Sequence, residues 1–124
     1  MKRALGLLLC LLALLALVGC GNVKNVVVEP WEPSALYSDG EINAAVRAAK
    51  RVFSRHFGGC TLTELAYSET HSSKDEIAIL ASFDVDASGG AEGTLNPNTH
   101  YTRYQFTFSR GLFGLWKLAN NGYA

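Results

Sequence analysis

At 124 residues the chain has room for one small domain and a leader, but not for two domains. Eleven basic residues balance eleven acidic ones, which leaves none of the positive excess that a nucleic-acid partner demands. The three cysteines, Cys10, Cys20 and Cys60, form no CxxC pair and no Cys/His cluster with zinc spacing.

At the N-terminus Lys2 and Arg3 precede an apolar run from Ala4 to Val18, and Gly19-Cys20 follows. A run of about fifteen residues falls short of the roughly twenty that cross a hydrocarbon core, so the pattern fits a secretory signal better than a permanent span. Its end, Leu17-Val18-Gly19-Cys20, resembles the lipobox of bacterial lipoprotein signal peptides. The resemblance implies that residues 1–19 are removed and that Cys20, the lipid-attachment residue, begins the mature chain with a diacylglyceryl group on its sulfur. Two acyl chains give durable anchoring where one gives only marginal binding. The alternative is an ordinary signal peptide in which the cysteine has no role.

Removing 19 of the 124 residues, Lys2 and Arg3 among them, leaves nine basic against eleven acidic groups. With Cys10 lost and Cys20 acylated, Cys60 has no partner for an internal disulfide. The exported domain then rests on hydrophobic burial.

Residues 20–37 carry Pro30, Pro33, Asn22, Asn25 and Ser34 and read as a tether, with an edge strand over Val26 to Val28 as the alternative. The domain is expected over residues 38–124. Ser38-Asp39-Gly40-Glu41 fits a capping box. Ile42, Ala45, Val46, Ala49, Val52, Phe53 and Phe57 then recur every three or four residues, which predicts a helix with one apolar stripe, ended by Gly58-Gly59.

Beyond the helix the period changes to two. Strands are expected over Cys60 to Tyr67, Glu76 to Asp86, His100 to Arg110 and Leu115 to Tyr123. In the first, Leu62 and Leu65 fall on opposite faces unless a bulge intervenes. In the second, Ile77, Ile79, Ala81, Phe83 and Val85 share a face; in the third, Tyr104, Phe106 and Phe108 do. Between them lies the polar loop Ala87 to Thr99. The predicted fold is α+β, one N-terminal helix packed on a curved four-stranded antiparallel sheet.

The order of one helix and four strands resembles the cystatin-like folds, including the nuclear transport factor two-like group. GGCTL, SGGAEGTLNPNTHYTRYQF and the closing LWKL with Gly122-Tyr123 are similar to small lipoproteins of Firmicutes that share this domain and bring no assigned activity with them. The resemblance covers Tyr37 to Tyr123.

Four patterns invite chemistry. Asp84, Asp86, Ser88 and Gly89 occupy positions 1, 3, 5 and 6 of a calcium loop, but position 12 is Leu95 where a bidentate carboxylate is needed. His56, His71 and His100 lack helical metal spacing. His71 beside Ser72, Ser73 and Asp75 has the residue types of a hydrolase triad without a nucleophile elbow. Arg47, Arg51 and Arg55, with Lys50 near them, make a basic ridge suited to a solvated face or to anionic headgroups. No catalytic, cofactor or metal residue is assigned.

The reading is a lipid-anchored, extracytoplasmic lipoprotein of the cell membrane, non-enzymatic, that binds an unidentified protein or small molecule and no nucleic acid. The alternative is a small acid-base enzyme of the ketosteroid-isomerase-like type, for which Glu64 in a closed apolar pocket is the discriminating feature. The domain is a monomer, or a homodimer through the outer face of the sheet with Tyr101 and Leu80 in the interface.

Overall fold

A computed structural model describes residues 20–90, 95–111 and 114–123. The expected signal segment 1–19, the middle of the polar loop (91–94) and part of the last turn (112–113) lie outside the described residues. The elements in chain order are β1 (Val27–Val28), α1 (Asp39–His56), β2 (Cys60–Ser68), β3 (Glu76–Val85), β4 (His100–Arg110) and β5 (Trp116–Tyr123). They form one sheet in the order β1-β2-β3-β4-β5, with α1 lying on one face against β2, β3 and β5. The fold is α+β, as expected.

The sheet has five strands and is mixed, which corrects the expectation of four antiparallel ones. The extra strand comes from the segment read as a tether: Val27 and Val28 pair in parallel with Glu64 and Leu65. Asn22 makes a further parallel bridge to Thr61. The segment is laid along the open edge of β2, where its backbone satisfies donors and acceptors that an exposed edge would otherwise offer to another chain. The Glu29 N–H to the Leu65 carbonyl, 2.9 Å, continues the seam.

α1 begins where its capping residues dictate. The Ser38 hydroxyl accepts the Glu41 N–H at 3.2 Å, and the Glu41 carboxylate accepts the Ser38 N–H at 3.1 Å. Such a cap is worth about 1 kcal/mol. The buried stripe is Ile42, Ala45, Val46, Ala48, Ala49 and Phe53, while Val52 is half-buried at its margin. Phe57 closes the helix with its N–H on the Phe53 carbonyl at 3.0 Å. The chain then turns through Gly59, whose φ of 77° is costly for a residue with a Cβ.

The inner face of the sheet, toward α1, carries Leu62, Leu65, Ile77, Ile79, Ala81, Phe83, Val85, Phe106 and Phe108, all buried. Phe83 is the hub of an aromatic cluster, with ring centroids 5.5 Å from Phe53, 5.5 Å from Phe57, 5.3 Å from Tyr101 and 5.4 Å from Tyr104. Each such pair adds about 0.5–1.5 kcal/mol beyond the area it buries. Every described buried side-chain nitrogen and oxygen has a hydrogen-bond partner.

Two bulges set which residues face the core. A register shift between Leu62 and Glu64 turns both Leu62 and Leu65 inward despite their odd spacing. A second shift lies opposite Ala81 to Phe83, where Arg103 takes a φ of 58°. It brings Tyr101 and Tyr104 to the same inner face, three residues apart. Tyr101 is therefore a core residue stacked on Phe83, and only Leu80 remains on the outer face. That corrects the expectation that both would meet a second copy there.

Candidate functional site

The two ends of the domain hold the side chains with chemical potential, and they are built differently. At one end the segment before β1 joins the last turn of α1, the start of β2 and the end of β3. The Gly21 N–H bonds the Ser54 carbonyl at 2.9 Å, the Asn22 N–H bonds the Cys60 carbonyl at 2.9 Å, and the Leu62 N–H returns to the Asn22 carbonyl at 2.9 Å. Gly21 is buried so tightly that a Cβ there would lie 2.4 Å from the Phe53 oxygen and 2.9 Å from the Phe57 oxygen. Cys20, one residue earlier, is exposed.

Beside it opens a cleft of about 270 Å³ lined by Cys20, Asn22, Gly59, Cys60, Thr61, Asp84, Val85 and Asp86. Its acids do not converge on a common point. Asp84 Oδ1 lies 2.5 Å from His100 Nδ1, and both side chains are more than half exposed. The Asp86 carboxylate accepts the Ser88 hydroxyl and, at 2.9 Å, the Ser88 N–H, contacts that hold its pKa below the usual carboxylate range. The backbone of Asp86 is pinned as well, its N–H to the Gly59 carbonyl at 2.9 Å. The calcium-loop spacing is thus used for a turn that closes on itself. Among the described residues no three His, Cys, Asp or Glu side chains are grouped to hold a metal.

Cys60 lines the inner part of the cleft but is buried, which pushes its thiol pKa up, with the Asp86 charge adding to the effect. The thiol is therefore a poor nucleophile.

The other two histidines lie elsewhere. His56 is exposed in the last turn of α1. His71 Nδ1 is 2.8 Å from Ser68 Oγ in the β2–β3 connection, where Ser72 donates to the Ser68 carbonyl at 2.6 Å and accepts the Ala78 N–H at 2.9 Å. Of the residue types that resembled a triad, His71 and Ser72 are bound up in turn-closing bonds. Arg47, Arg51 and Arg55 are exposed along α1, as a solvated ridge requires.

Glu64 lies on the outer face opposite Ser82 and is half-buried. Partial burial raises its pKa, and Glu29 beside it raises it further by like charge and by a side-chain hydrogen bond. It does not lie in a closed apolar pocket.

The far end of the domain holds residues that sequence reasoning did not bring together. The Arg110 guanidinium pairs with the Glu41 carboxylate and stacks 4.9 Å from the centroid of Trp116. The Trp116 indole N–H bonds the Glu41 carbonyl at 3.0 Å, and the Trp31 indole N–H bonds Asp39 at 3.0 Å. The Tyr37 hydroxyl donates to the Ser73 carbonyl at 2.5 Å. Glu69 accepts from Ser34 Oγ at 2.6 Å, from the Tyr67 hydroxyl at 2.6 Å and from the Ala35 N–H at 3.0 Å. The Glu41 pKa is lowered, first by the Ser38 N–H and then by Arg110, and that of Glu69 by Ser34, Tyr67 and Ala35.

No family model, no curated protein and no solved structure matches the chain. Among the described residues no helix is long and apolar enough to cross a membrane.

Proposed function

We propose that the chain is an extracytoplasmic lipoprotein of the cell membrane, acylated at Cys20 and cleaved before it, whose domain acts as a non-enzymatic binding module. The observation that carries the reading is the coincidence of two features at one residue. A basic-then-apolar leader ends in Leu17-Val18-Gly19-Cys20, and the cysteine at its end is exposed on the surface of the domain. An unrelated core cysteine would be buried, as Cys60 is.

The helix laid on an antiparallel meander resembles cystatin-like domains, and the proposal includes membership of that broad group. The binding role draws support from the way polar groups are distributed. The inner face of the sheet is closed by aromatic packing, with no carboxylate on its described strand positions, and Glu64 faces outward beside Glu29. An acid-base enzyme of the ketosteroid-isomerase type needs its carboxylate inside an apolar cavity.

The test is mass spectrometry of the full chain expressed in a bacterium with a lipoprotein-processing pathway. The expected N-terminal peptide begins at Cys20 and carries a diacylglyceryl adduct, and Cys20→Ala accumulates as an uncleaved precursor. An unmodified chain that retains Met1 overturns the reading.

A further inference from the structure

The backbone around Cys20 fixes more than the place of attachment. A free tether of eighteen residues would reach at most about 60 Å and let the domain tumble above the bilayer. The structure has no such slack: Gly21 is bonded to Ser54 and enclosed by the Phe53 and Phe57 carbonyls, and Asn22 is bonded in both directions to β2. The Cα of the acyl-bearing residue is therefore only one step of about 3.8 Å from that of a clamped residue.

We infer, resting on the lipoprotein reading above, that the end of the domain formed by the last turn of α1, the start of β2 and the end of β3 is a membrane-contact surface that rests on phospholipid headgroups. The opposite end, with the β2–β3 connection, then points away from the bilayer. From Thr61 to Ser68 the rise along β2 is about 23 Å, which sets the height of that outer end.

The character of the surface fits headgroups rather than hydrocarbon. Its exposed residues include Lys24, Arg55, His56, Thr61, Asp84 and Asp86, polar and of both signs. The domain's other way to lie beside its anchor is on the β1 edge, but that side presents Glu29 and Glu32, both exposed, with Glu64 in contact with Glu29. Anionic headgroups repel such an edge, whereas on the contact surface Lys24 and Arg55, each worth about 1 kcal/mol near a charged surface, offset Asp84 and Asp86. The contact surface also includes the base of the Asp86 to Thr99 loop, since Val85 bonds Thr99 and Asp86 bonds Asn98 through the backbone. A soluble protein partner approaching from the aqueous side thus meets the outer end and outer face of the sheet first.

The test places an environment-sensitive fluorophore on single cysteines introduced by Thr61→Cys, Glu32→Cys or Lys74→Cys. All three native residues are exposed. The acylated full chain is reconstituted into phosphatidylglycerol–phosphatidylcholine vesicles that contain headgroup-nitroxide lipid. Cys60 is buried, and a thioether at Cys20 does not react, so only the introduced thiol is labelled. The expected result is loss of fluorescence at position 61 and none at positions 32 and 74. A ten-residue Gly-Ser insertion after Cys20 removes the loss at 61 by restoring slack. Equal loss at 61 and 32, or no loss at any position, overturns the orientation while leaving the anchor intact. A second labelled thiol at Cys20 instead overturns the anchoring and the orientation together.

Discussion

The two ends of α1 are held by different physics. At its C-terminal end the restraints are steric and backbone-borne: Gly21 wedged under the Phe53 carbonyl, Phe53 and Phe57 stacked with centroids 4.8 Å apart, and Phe83 and Phe106 against them. At its N-terminal end the restraints are side-chain hydrogen bonds that converge on Glu41, from Ser38, Arg110 and, through the Glu41 carbonyl, Trp116. Steric restraint is indifferent to pH and intolerant of added atoms. A carboxylate lock tolerates changes of shape but depends on its charge. One helix thus carries a rigid end, on the side of the domain where Cys20 lies, and a titratable end on the opposite side.

The difference is sharpest at the centre of the rigid end. Phe83→Ala removes a ring shared by Phe53, Phe57, Tyr101 and Tyr104, and the loss expected is about 3–5 kcal/mol, read as a fall in the urea midpoint at unchanged slope. Gly21→Val comes next. Its side chain has no space beneath the Phe53 carbonyl, so the segment is expected to detach while α1 and β2 to β5 persist, at a cost of about 1–3 kcal/mol. Hydrogen exchange checks this directly, because the Asn22 and Leu62 amides, which bond across that seam, lose protection while Ile79 keeps it. Parallel loss at Ile79 would show that the edge segment is part of the global folding unit.

What the sequence made legible follows the same division. The helix start was readable because its signal is local: Ser38 and Glu41 stand three residues apart and bond each other. The β2 bulge was readable because two large leucines at odd spacing both need burial. The β4 bulge was not, since Arg103 adopts a left-handed conformation that a glycine would have advertised, and Tyr101 was placed on the wrong face as a result. β1 was readable only as the alternative to a tether, for another reason. Two residues carry no periodicity, and their hydrogen bonds come from β2, far along the chain. Of the candidate site, Cys20 is singled out by its flanking pattern alone, as an expectation, whereas the clamp one residue later depends on the carbonyls of Phe53 and Phe57.

The titratable end gives a smaller and pH-dependent effect. The Glu41 pKa is depressed below its ordinary 4.5, so the stability it contributes is fully present above that value and is lost as pH falls through the lower folded-state value. Glu41→Gln is expected to cost about 1 kcal/mol at neutral pH and nothing once the wild-type carboxylate is protonated. The two denaturation profiles therefore converge on acidification. Glu69 is depressed in the same direction and steepens the acid limb, so a double variant with Glu69→Gln flattens it further. Profiles that stay parallel down to strong acid would mean that the Glu41 charge is not what holds the cap.

Glu64 has the opposite sign and the smallest expected effect. Burial and the neighbouring Glu29 raise its pKa, so the folded domain favours the protonated form, and this group weakens the fold as pH rises through the interval between its unfolded and folded values. Glu64→Gln removes that penalty and is expected to stabilise the domain at neutral pH by a few tenths of a kcal/mol, typical of relieving like charges on neighbouring strands. In acid the gain disappears, because the wild-type Glu64 carboxylate is then neutral. Relief at this position also leaves the β1 edge less acidic, which weakens its repulsion from an anionic surface. Where the edge is disfavoured only by charge, the labelled Glu32→Cys probe should register more contact with anionic vesicles in the Glu64→Gln background than without it. No change there would locate the bias in the Gly21 clamp alone.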